Sequence, residues 1–426
     1  MGRTGVLRTL GCRLNQAESD EILLALADCG IGPGGSAPDV VVVNTCTVTS
    51  EASSASRKLI RRSVREFPDA TVVVTGCYAV ARSEDVAAME GVDAVLPIKD
   101  GLAGRVAEYI GAGAPVPVLF PSPRRNLKVQ TGCDEHCTFC IVPRTRGTLH
   151  STDGDGILSR ARRLVDLGVR ELTLTGVHLG KYGYDIDRPG ALVPLLGDLA
   201  ALAGLERIRL SSIEASQVDD ALLDLIAAEP KLCRHLHIPL QTGDPNVWQM
   251  MRRPGTLDRF LEVVETARSR IQGVALTTDV MVGFPGEDDA AFSRTVQVVE
   301  AVGFEKLHVF RFSPREGTPA ADDPHQIDAS IKRERSCTLR ALGDGIRGRW
   351  LAGHQGQMVQ VLVERAAPKA TTGNGGLSGY TDTYARVTFP GAASLVGRVV
   401  NVLVASTEKD YLEGVLVERL PLLQDR

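Results

Sequence analysis

The sequence predicts an α/β protein in three parts: an N-terminal doubly wound parallel sheet, a central partial (β/α) barrel and a small C-terminal all-β barrel. Three observations predict it. The chain has 426 residues, too long for one ordinary domain and suited to two or three. Apolar strand-like runs alternate with helical periodicity as far as about Trp350. After that the helical spacing stops, and short β-type runs are separated by glycines.

The elements follow in order. Val6 to Leu10 reads as a strand, and Ala17 to Asp28 as a helix with Ile22, Leu23, Leu26 and Ala27 on one face. Val40 to Val43 and Thr71 to Val74 are buried-type strands of β-branched residues. Ser50 to Phe67 is helical and basic on one side, and Ser83 to Met89 begins another helix. Residues 1–112 therefore form one domain. Gly111 to Pro123 is rich in Gly, Ala and Pro, so 113–126 reads as a linker. Residues 127–350 carry candidate strands at Leu127–Gln130, Glu171–Thr175, Arg207–Leu210, Leu236–Ile238, Ala275–Val280 and Lys306–Phe310. Helical stretches lie between most neighbours, as in Val218 to Ala228, where Val218, Ala221, Leu222, Leu225 and Ile226 share a face. About six β/α units point to a parallel barrel or an incomplete one. In 353–420, Met358–Val363 and Leu395–Val404 are β-type, with Gly and Asn clustered at Thr371 to Gly376.

Composition excludes several classes. Hydrophobic residues make up 43% and charged residues 23%, which excludes a disordered chain. No apolar run approaches the roughly 18–20 residues of a membrane span. Met1 to Gly11 has no signal-peptide pattern, so a cytoplasmic protein with reduced thiols is expected. The net charge of -4 means that any nucleic-acid contact depends on local basic patches. Nine cysteines are then not a disulfide framework, and their positions carry the functional signal.

Cys133, Cys137 and Cys140 stand within a few residues of each other, just after the first barrel strand. Three soft thiolates wrap one metal centre. A structural zinc site wants four ligands, so a zinc knuckle competes with a [4Fe–4S] cluster that keeps one iron open. A second triad is dispersed. Cys12, Cys46 and Cys77 each follow an expected strand, and in a parallel sheet those positions share the carboxyl edge, where ligands bind. Glycines before Cys12 and Cys77 permit a close backbone approach. Buried thiols are the alternative there. Cys29, Cys233 and Cys337 show no ligand spacing.

The stretch TGCDEHCTFCIVPRTRG (Thr131–Gly147) resembles the methylthiotransferase family of radical S-adenosylmethionine enzymes. So do LTGVHLG (Leu174–Gly180), LSSIE (Leu210–Glu214), HIPLQTGD (His237–Asp244), TDVMVGFPGE (Thr278–Glu287) and SPREGTPA (Ser313–Ala320). GYTDTYARV (Gly379–Val387) is similar to a TRAM signature, so the resemblance covers nearly the whole chain. Gly255 where the family commonly has Tyr, Arg311-Phe312 where Pro-Tyr is usual, and Thr242 for a frequent Ser are departures; none is a cysteine.

The resemblance implies a radical-SAM barrel, a TRAM barrel, S-adenosylmethionine and two [4Fe–4S] clusters, on Cys133, Cys137 and Cys140 and on Cys12, Cys46 and Cys77. It implies that one cluster cleaves S-adenosylmethionine to a 5′-deoxyadenosyl radical while the other carries the sulfur. It implies tRNA as substrate, at adenosine 37 of the anticodon loop, and an electron donor such as flavodoxin or ferredoxin. TLGCRLNQAES (Thr9–Ser19) is similar to the branch acting on N6-threonylcarbamoyladenosine. Isopentenyladenosine and a ribosomal-protein aspartate are the alternative targets, and a non-catalytic iron–sulfur RNA-binding protein is the alternative class.

By position, Gly176 and Val177 resemble part of the loop that meets the cofactor's methionine group. Glu214 fits a cofactor contact or a helix-capping or loop carboxylate, and Gly283 fits an adenine backing or a plain turn. No catalytic acid or base is indicated. For RNA, Arg144 and Arg146 directly follow the cluster loop and suit phosphate contact. Tyr380, Tyr384 and Arg386 of the TRAM-like tail fit base stacking and phosphate contact, or core packing.

Overall fold

The computed structural model describes residues 2–97, 101–118, 120, 122–367 and 376–417. The N-terminal sheet is parallel, with strands β1 (Arg3–Thr9), β2 (Ile31–Pro33), β3 (Val40–Thr45), β4 (Thr71–Gly76) and β5 (Ala94–Leu96) in the order β2-β1-β3-β4-β5. Alternation along β3 sends Val40 and Val42 to one face, against Ile22, Leu26, Leu102 and Val106. Val41 and Val43 go to the other, against Ile60, Val74 and Tyr78. A strand buried on both faces explains the unbroken valine run. The order reverses between β1 and β3, so the sheet has a switch point there.

Several boundaries move. The first helix spans Arg13–Asp28 rather than starting at Ala17. Its inner residue is Leu24, not Leu23, because the helix is buried on a second side: Leu24 joins the core of the barrel domain. The expected helix from Ser83 forms but is short, Ser83–Ala87, and a further short helix, Cys77–Ala81, precedes it with a break at Arg82. In the Asp220–Ala228 helix, Leu222, Leu223 and Ile226 are buried and Ala221 is exposed, so the apolar face is rotated from the expected one.

The barrel domain is an open arc of six parallel strands. Strand β6 (Arg124–Lys128) begins inside the segment read as linker; β7 (Gln130–Thr131) and β8 (His150–Ser151) form a small antiparallel pair. The arc continues through β9 (Glu171–Thr175), β10 (Arg207–Leu210), β11 (His235–His237), β12 (Ala275–Val282) and β13 (Lys306–Arg311). Two three-stranded sheets, β6-β9-β10 and β11-β12-β13, are stitched by the parallel bridges Ile208–Leu232 and Ser212–His237.

Helix Ala329–Ala352 then leads into a closed five-stranded barrel. Its strands are β14 (Met358–Ala367), β15 (Gly376–Thr381), β16 (Arg386–Pro390), β17 (Val399–Thr407) and β18 (Leu412–Leu416), paired in the order β14-β15-β16-β18-β17. Leu395 lies in a 3-10 turn, and the strand expected there starts at Val399. Of the expected Gly/Asn cluster, 371–375 lie outside the described residues, as do 418–420 at the end of the expected domain. Among the described residues no helix is long and apolar enough to cross a membrane.

Candidate metal and cofactor site

Three strand ends carry the dispersed cysteines. Cys12 caps helix Arg13–Asp28 just beyond β1, Cys46 follows β3, and Cys77 opens the short helix after β4. The three strands are adjacent and parallel, so their carboxyl ends share one edge at the switch point. Gly76 is needed to bring Cys77 in. It takes φ +96, and a Cβ there would lie 2.3 Å from the carbonyl oxygen of Thr45. The proton affinity of Cys46 rises through burial, the largest cause, and through the neighbouring Cys77 and Cys12 thiols.

Residues that the sequence pattern did not single out hold these loops. Asn15 Nδ2 donates to Asn44 Oδ1 at 3.1 Å and to the Thr45 carbonyl at 2.9 Å. Asn44 Nδ2 donates back to the Asn15 carbonyl and to Ser19 Oγ. Ser56 Oγ accepts from the Cys46 N–H at 3.0 Å and donates to its carbonyl at 2.8 Å. Such fully satisfied buried networks fix geometry. The only signal in the sequence was proximity to Cys12 and Cys46.

The second triad sits on a loop anchored from beneath. Phe139 packs edge-on against Phe284, with centroids 6.4 Å apart, and joins a cluster with Met251, Met281 and Phe312. Thr138 donates its N–H to the Met251 carbonyl and its hydroxyl to the Met250 carbonyl, both at 2.9 Å. Gly132 opens the loop at φ +71, where a Cβ would fall 1.7 Å from the Thr148 carbonyl oxygen. Burial pushes the Cys133 thiol up to about 11 and Cys137 to about 12, and raises Cys140. Thiolates are therefore disfavoured until a cationic centre compensates, and loading releases protons.

Glu214 stands beside this loop. It caps no helix: Arg253 donates to both its oxygens, at 3.0 and 2.9 Å. That rules out side-chain capping, leaves the loop-carboxylate alternative standing, and keeps lone pairs for a further donor. Gly283 follows β12 at φ +72, with its open side filled by the stem of Lys332.

A cavity of about 710 Å³ lies between the two domains. Cys12, Cys46 and Cys77 line one side; Gly176, Val177, His237, Asp279 and His308 line the other, at the mouth of the strand arc. Glu214 and Gly283 are not in this wall. His237 Nε2 meets Asp279 Oδ2 at 3.2 Å, and its Nδ1 shares a hydrogen bond with Thr277 Oγ1 at 2.8 Å. His308 is pulled down to about 4 by burial, with Asp279 opposing and His237, Lys306 and Arg13 reinforcing. The donor set of each triad is three soft thiols, which suits iron–sulfur chemistry. Among the described residues no three His, Cys, Asp or Glu side chains close on a single metal ion.

Three family descriptions match the chain: Uncharacterized protein family UPF0004 over residues 4–97, Radical SAM superfamily over 127–299 and TRAM domain over 354–417. Threonylcarbamoyladenosine tRNA methylthiotransferase MtaB of Bacillus subtilis is 36% identical over 436 residues, covering 97% of this chain and 96% of the relative. The protein of the same name from Thermotoga maritima is 34% identical, covering 100% and 99%. The tRNA-2-methylthio-N(6)-dimethylallyladenosine synthase of Aquifex aeolicus is 31% identical, covering 98% and 99%. The chain belongs to the radical S-adenosylmethionine tRNA methylthiotransferases. Among solved structures, the radical S-adenosylmethionine methyltransferase TsrM of Kitasatospora setae aligns with a TM-score of 0.54 at 16% identity, covering 75% of this chain and 74% of that one. That likeness concerns the fold alone. Membership implies iron–sulfur chemistry, S-adenosylmethionine and tRNA binding for this methylthiotransferase.

The residues expected to touch RNA divide. Arg144 is exposed and borders a groove with Arg57, Arg82 and Arg315. That groove shares Arg57, Tyr78 and Arg82 with a larger basic concavity containing Lys58, Arg61 and Arg65. Arg146 corrects the expectation. Its side chain is 3% exposed and grips the fully buried Glu18 carboxylate with two bonds, at 2.8 and 3.1 Å. It also donates to Asn15 Oδ1 at 2.8 Å, so it ties the barrel to the N-terminal domain instead of meeting phosphate. Tyr380 and Tyr384 stack on each other, with centroids 5.0 Å apart, among Arg13, Arg124 and Arg209. They dock the TRAM barrel onto the methylthiotransferase's central domain, where Arg207 and Arg209 donate to the carbonyls of Tyr380, Thr381 and Asp382. Both rings are half-buried at the domain junction and already packed on each other and on arginines, which does not suit stacking on RNA bases. Arg386, the cross-strand partner of Tyr380, is half-buried over the Tyr411 ring at 5.8 Å.

Proposed function

We propose that the protein adds a methylthio group to carbon 2 of N6-threonylcarbamoyladenosine at position 37 of tRNA, with two [4Fe–4S] clusters and two molecules of S-adenosylmethionine per turnover. The observation that carries this reading is the single cavity with Cys12, Cys46 and Cys77 on one wall and the barrel mouth on the other. When bound, the group held by Cys133, Cys137 and Cys140 supplies the electron that generates the 5′-deoxyadenosyl radical, and the one held by the N-terminal triad supplies the sulfur.

The chain's own work is positioning and exclusion. Gly176 and Val177 line the wall just beyond β9 and would meet the methionine part of S-adenosylmethionine there. Glu214 keeps acceptor capacity beside the loop and would take the cofactor's amino or ribose donors. Gly283 would support the adenine from its turn. The buried Arg146–Glu18 pair keeps the two walls together, so a radical formed on one side meets sulfur from the other and not solvent. Phosphates of the anticodon arm would lie along Arg57, Lys58, Arg61 and Arg144, and Arg386 would offer a further contact. A reductant such as flavodoxin or ferredoxin would deliver the electrons, in the reducing cytoplasm where such clusters survive.

The threonylcarbamoyl target is supported by the sequence around Cys12 and by the full-length likeness to the two proteins named for it. Dimethylallyladenosine is the second reading, since relatives named for it match over comparable lengths. Two measurements test the proposal. Iron and sulfide content after anaerobic purification should fall by about half in Cys46→Ala, by the three-thiolates-per-cluster argument; unchanged iron would remove the N-terminal centre. Nucleosides from tRNA of a deletion strain should lack the methylthio-threonylcarbamoyl form alone, and its persistence would overturn the target.

A further inference from the structure

Arg13 follows Cys12 directly, and its side chain lines the shared cavity. Its one hydrogen bond among the described residues runs to Tyr384 Oη at 3.2 Å, and its guanidinium stands 5.4 Å from that ring. Most other arginines brought into this interior hold an acid: Arg146 with Glu18, Arg209 with Glu171, Arg124 with Glu364, Arg125 with Asp20, Arg253 with Glu214; the buried Arg207 is met instead by the carbonyls of Tyr380 and Gln360. Arg13 forms no ion pair with a described residue. Glu171 acts on it electrostatically but is itself engaged by Arg209. The one acid of the facing wall, Asp279, is bound to His237.

A half-buried guanidinium that makes one side-chain bond keeps donors for a further acceptor. The chemistry that completes it is a planar carboxylate, which a guanidinium grips with two parallel bonds. Arg13 borders the same cavity that would receive the target base, one residue from a sulfur-delivering cysteine. The threonylcarbamoyl arm ends in a free carboxylate, whereas a dimethylallyl arm is a hydrocarbon that would leave the guanidinium unmet.

We infer that Arg13 is a specificity-determining residue that binds the free carboxylate of the amino-acid arm on the substrate adenosine. The assignment rests on the threonylcarbamoyl reading above and deepens it. Selection then works in both directions, because a site built for a polar group rejects the analogue that lacks it.

The test uses anaerobically reconstituted enzyme and anticodon stem-loop RNAs that carry threonylcarbamoyladenosine, its methyl ester or dimethylallyladenosine. Binding is read by fluorescence anisotropy. Wild type should favour the free acid over the ester by about ten- to a hundredfold, the span of a charge-assisted hydrogen bond. Arg13→Met should abolish that preference while binding the ester as wild type does, and Arg13→Lys should keep part of it. Iron content equal to wild type qualifies each variant; if Arg13→Met loses iron, Arg13→Gln carries the comparison. If the Met or Gln variant keeps the preference, or weakens acid and ester alike as a mere clip to Tyr384 would, the assignment is overturned. Turnover of the same RNAs separates the two readings. Wild type that methylthiolates only the dimethylallyl RNA sinks the target assignment. Wild type that acts on the threonylcarbamoyl RNA while Arg13→Met still prefers the acid sinks Arg13 alone.

Discussion

Replacing Arg146 with Met should be among the most damaging single changes outside the cysteines. The side chain is buried, and Glu18 opposite it has no exposed surface. Removing the guanidinium deletes two bonds to that carboxylate and one to Asn15 Oδ1. It also leaves a carboxylate to be protonated or hydrated inside the domain junction. Breaking a buried pair from one side costs about 3–5 kcal/mol. At roughly 2–4 °C per kcal/mol for a unit of 150–250 residues, the melting transition should drop by about 6–20 °C. Differential scanning calorimetry of the apoprotein reads this directly. The double variant Arg146→Met with Glu18→Met should recover most of the loss, because a pair of apolar side chains replaces a buried ion pair at little cost. The coupling energy between the sites should therefore be at least about 2 kcal/mol. An Arg146→Met protein melting within about 1 °C of wild type, or a double variant no better than the single, would refute the idea that this pair holds the walls together.

Two further outcomes follow from charge. Arg61→Gln with Arg65→Gln, on the exposed face of helix Ser50–Glu66, should weaken every anticodon stem-loop by a similar factor. The slope of log affinity against log salt should flatten by about 0.7 for each phosphate no longer neutralised, and an unchanged slope would take this helix off the RNA path. His308 titrates near 4 in the fold against about 6.5 in the unfolded chain, held down by burial, with His237, Lys306 and Arg13 reinforcing and Asp279 opposing. Between those values the unfolded chain binds a proton that the folded one refuses, so this contribution is intact above about pH 6.5 and is lost as pH falls towards 4. Urea midpoints at pH 7, 6 and 5 should decline less steeply in His308→Gln than in wild type, and parallel declines would count against it.

What the sequence made legible and what it hid divide along a physical line. The strand ends bearing Cys12, Cys46 and Cys77 were readable because unbroken β-branched runs, glycine and cysteine are all local signals. Convergence then followed from parallel topology. The barrel loop was readable from spacing alone. The partners of the charged residues were not. Arg146 looked like a phosphate ligand because its neighbours are basic, yet its carboxylate lies 128 positions away on another domain. Tyr380 and Tyr384 fit either base stacking or core packing from the TRAM-like tail alone, and only the docked barrel reveals the arginines around them. Leu24 was missed because a single-face helical pattern does not announce a second buried face, which exists only once another domain is present.

The domain contacts at this cavity are therefore part of the chemistry. The N-terminal sheet supplies Cys12 and Arg13, the central arc supplies Arg146 and the wall at His237 and Asp279, and the C-terminal barrel supplies Tyr384. Arg13 reaches from the first domain to a tyrosine of the third, across the mouth of the second. On the proposed function, a change at the Arg146–Glu18 junction would open the chamber without removing a cysteine of either triad. Such variants should keep their iron and still cleave S-adenosylmethionine while losing the coupling of that cleavage to sulfur transfer, whereas cysteine variants lose iron first. The ratio of 5′-deoxyadenosine to methylthiolated product thus separates a breached wall from a missing cluster, which product yield alone does not.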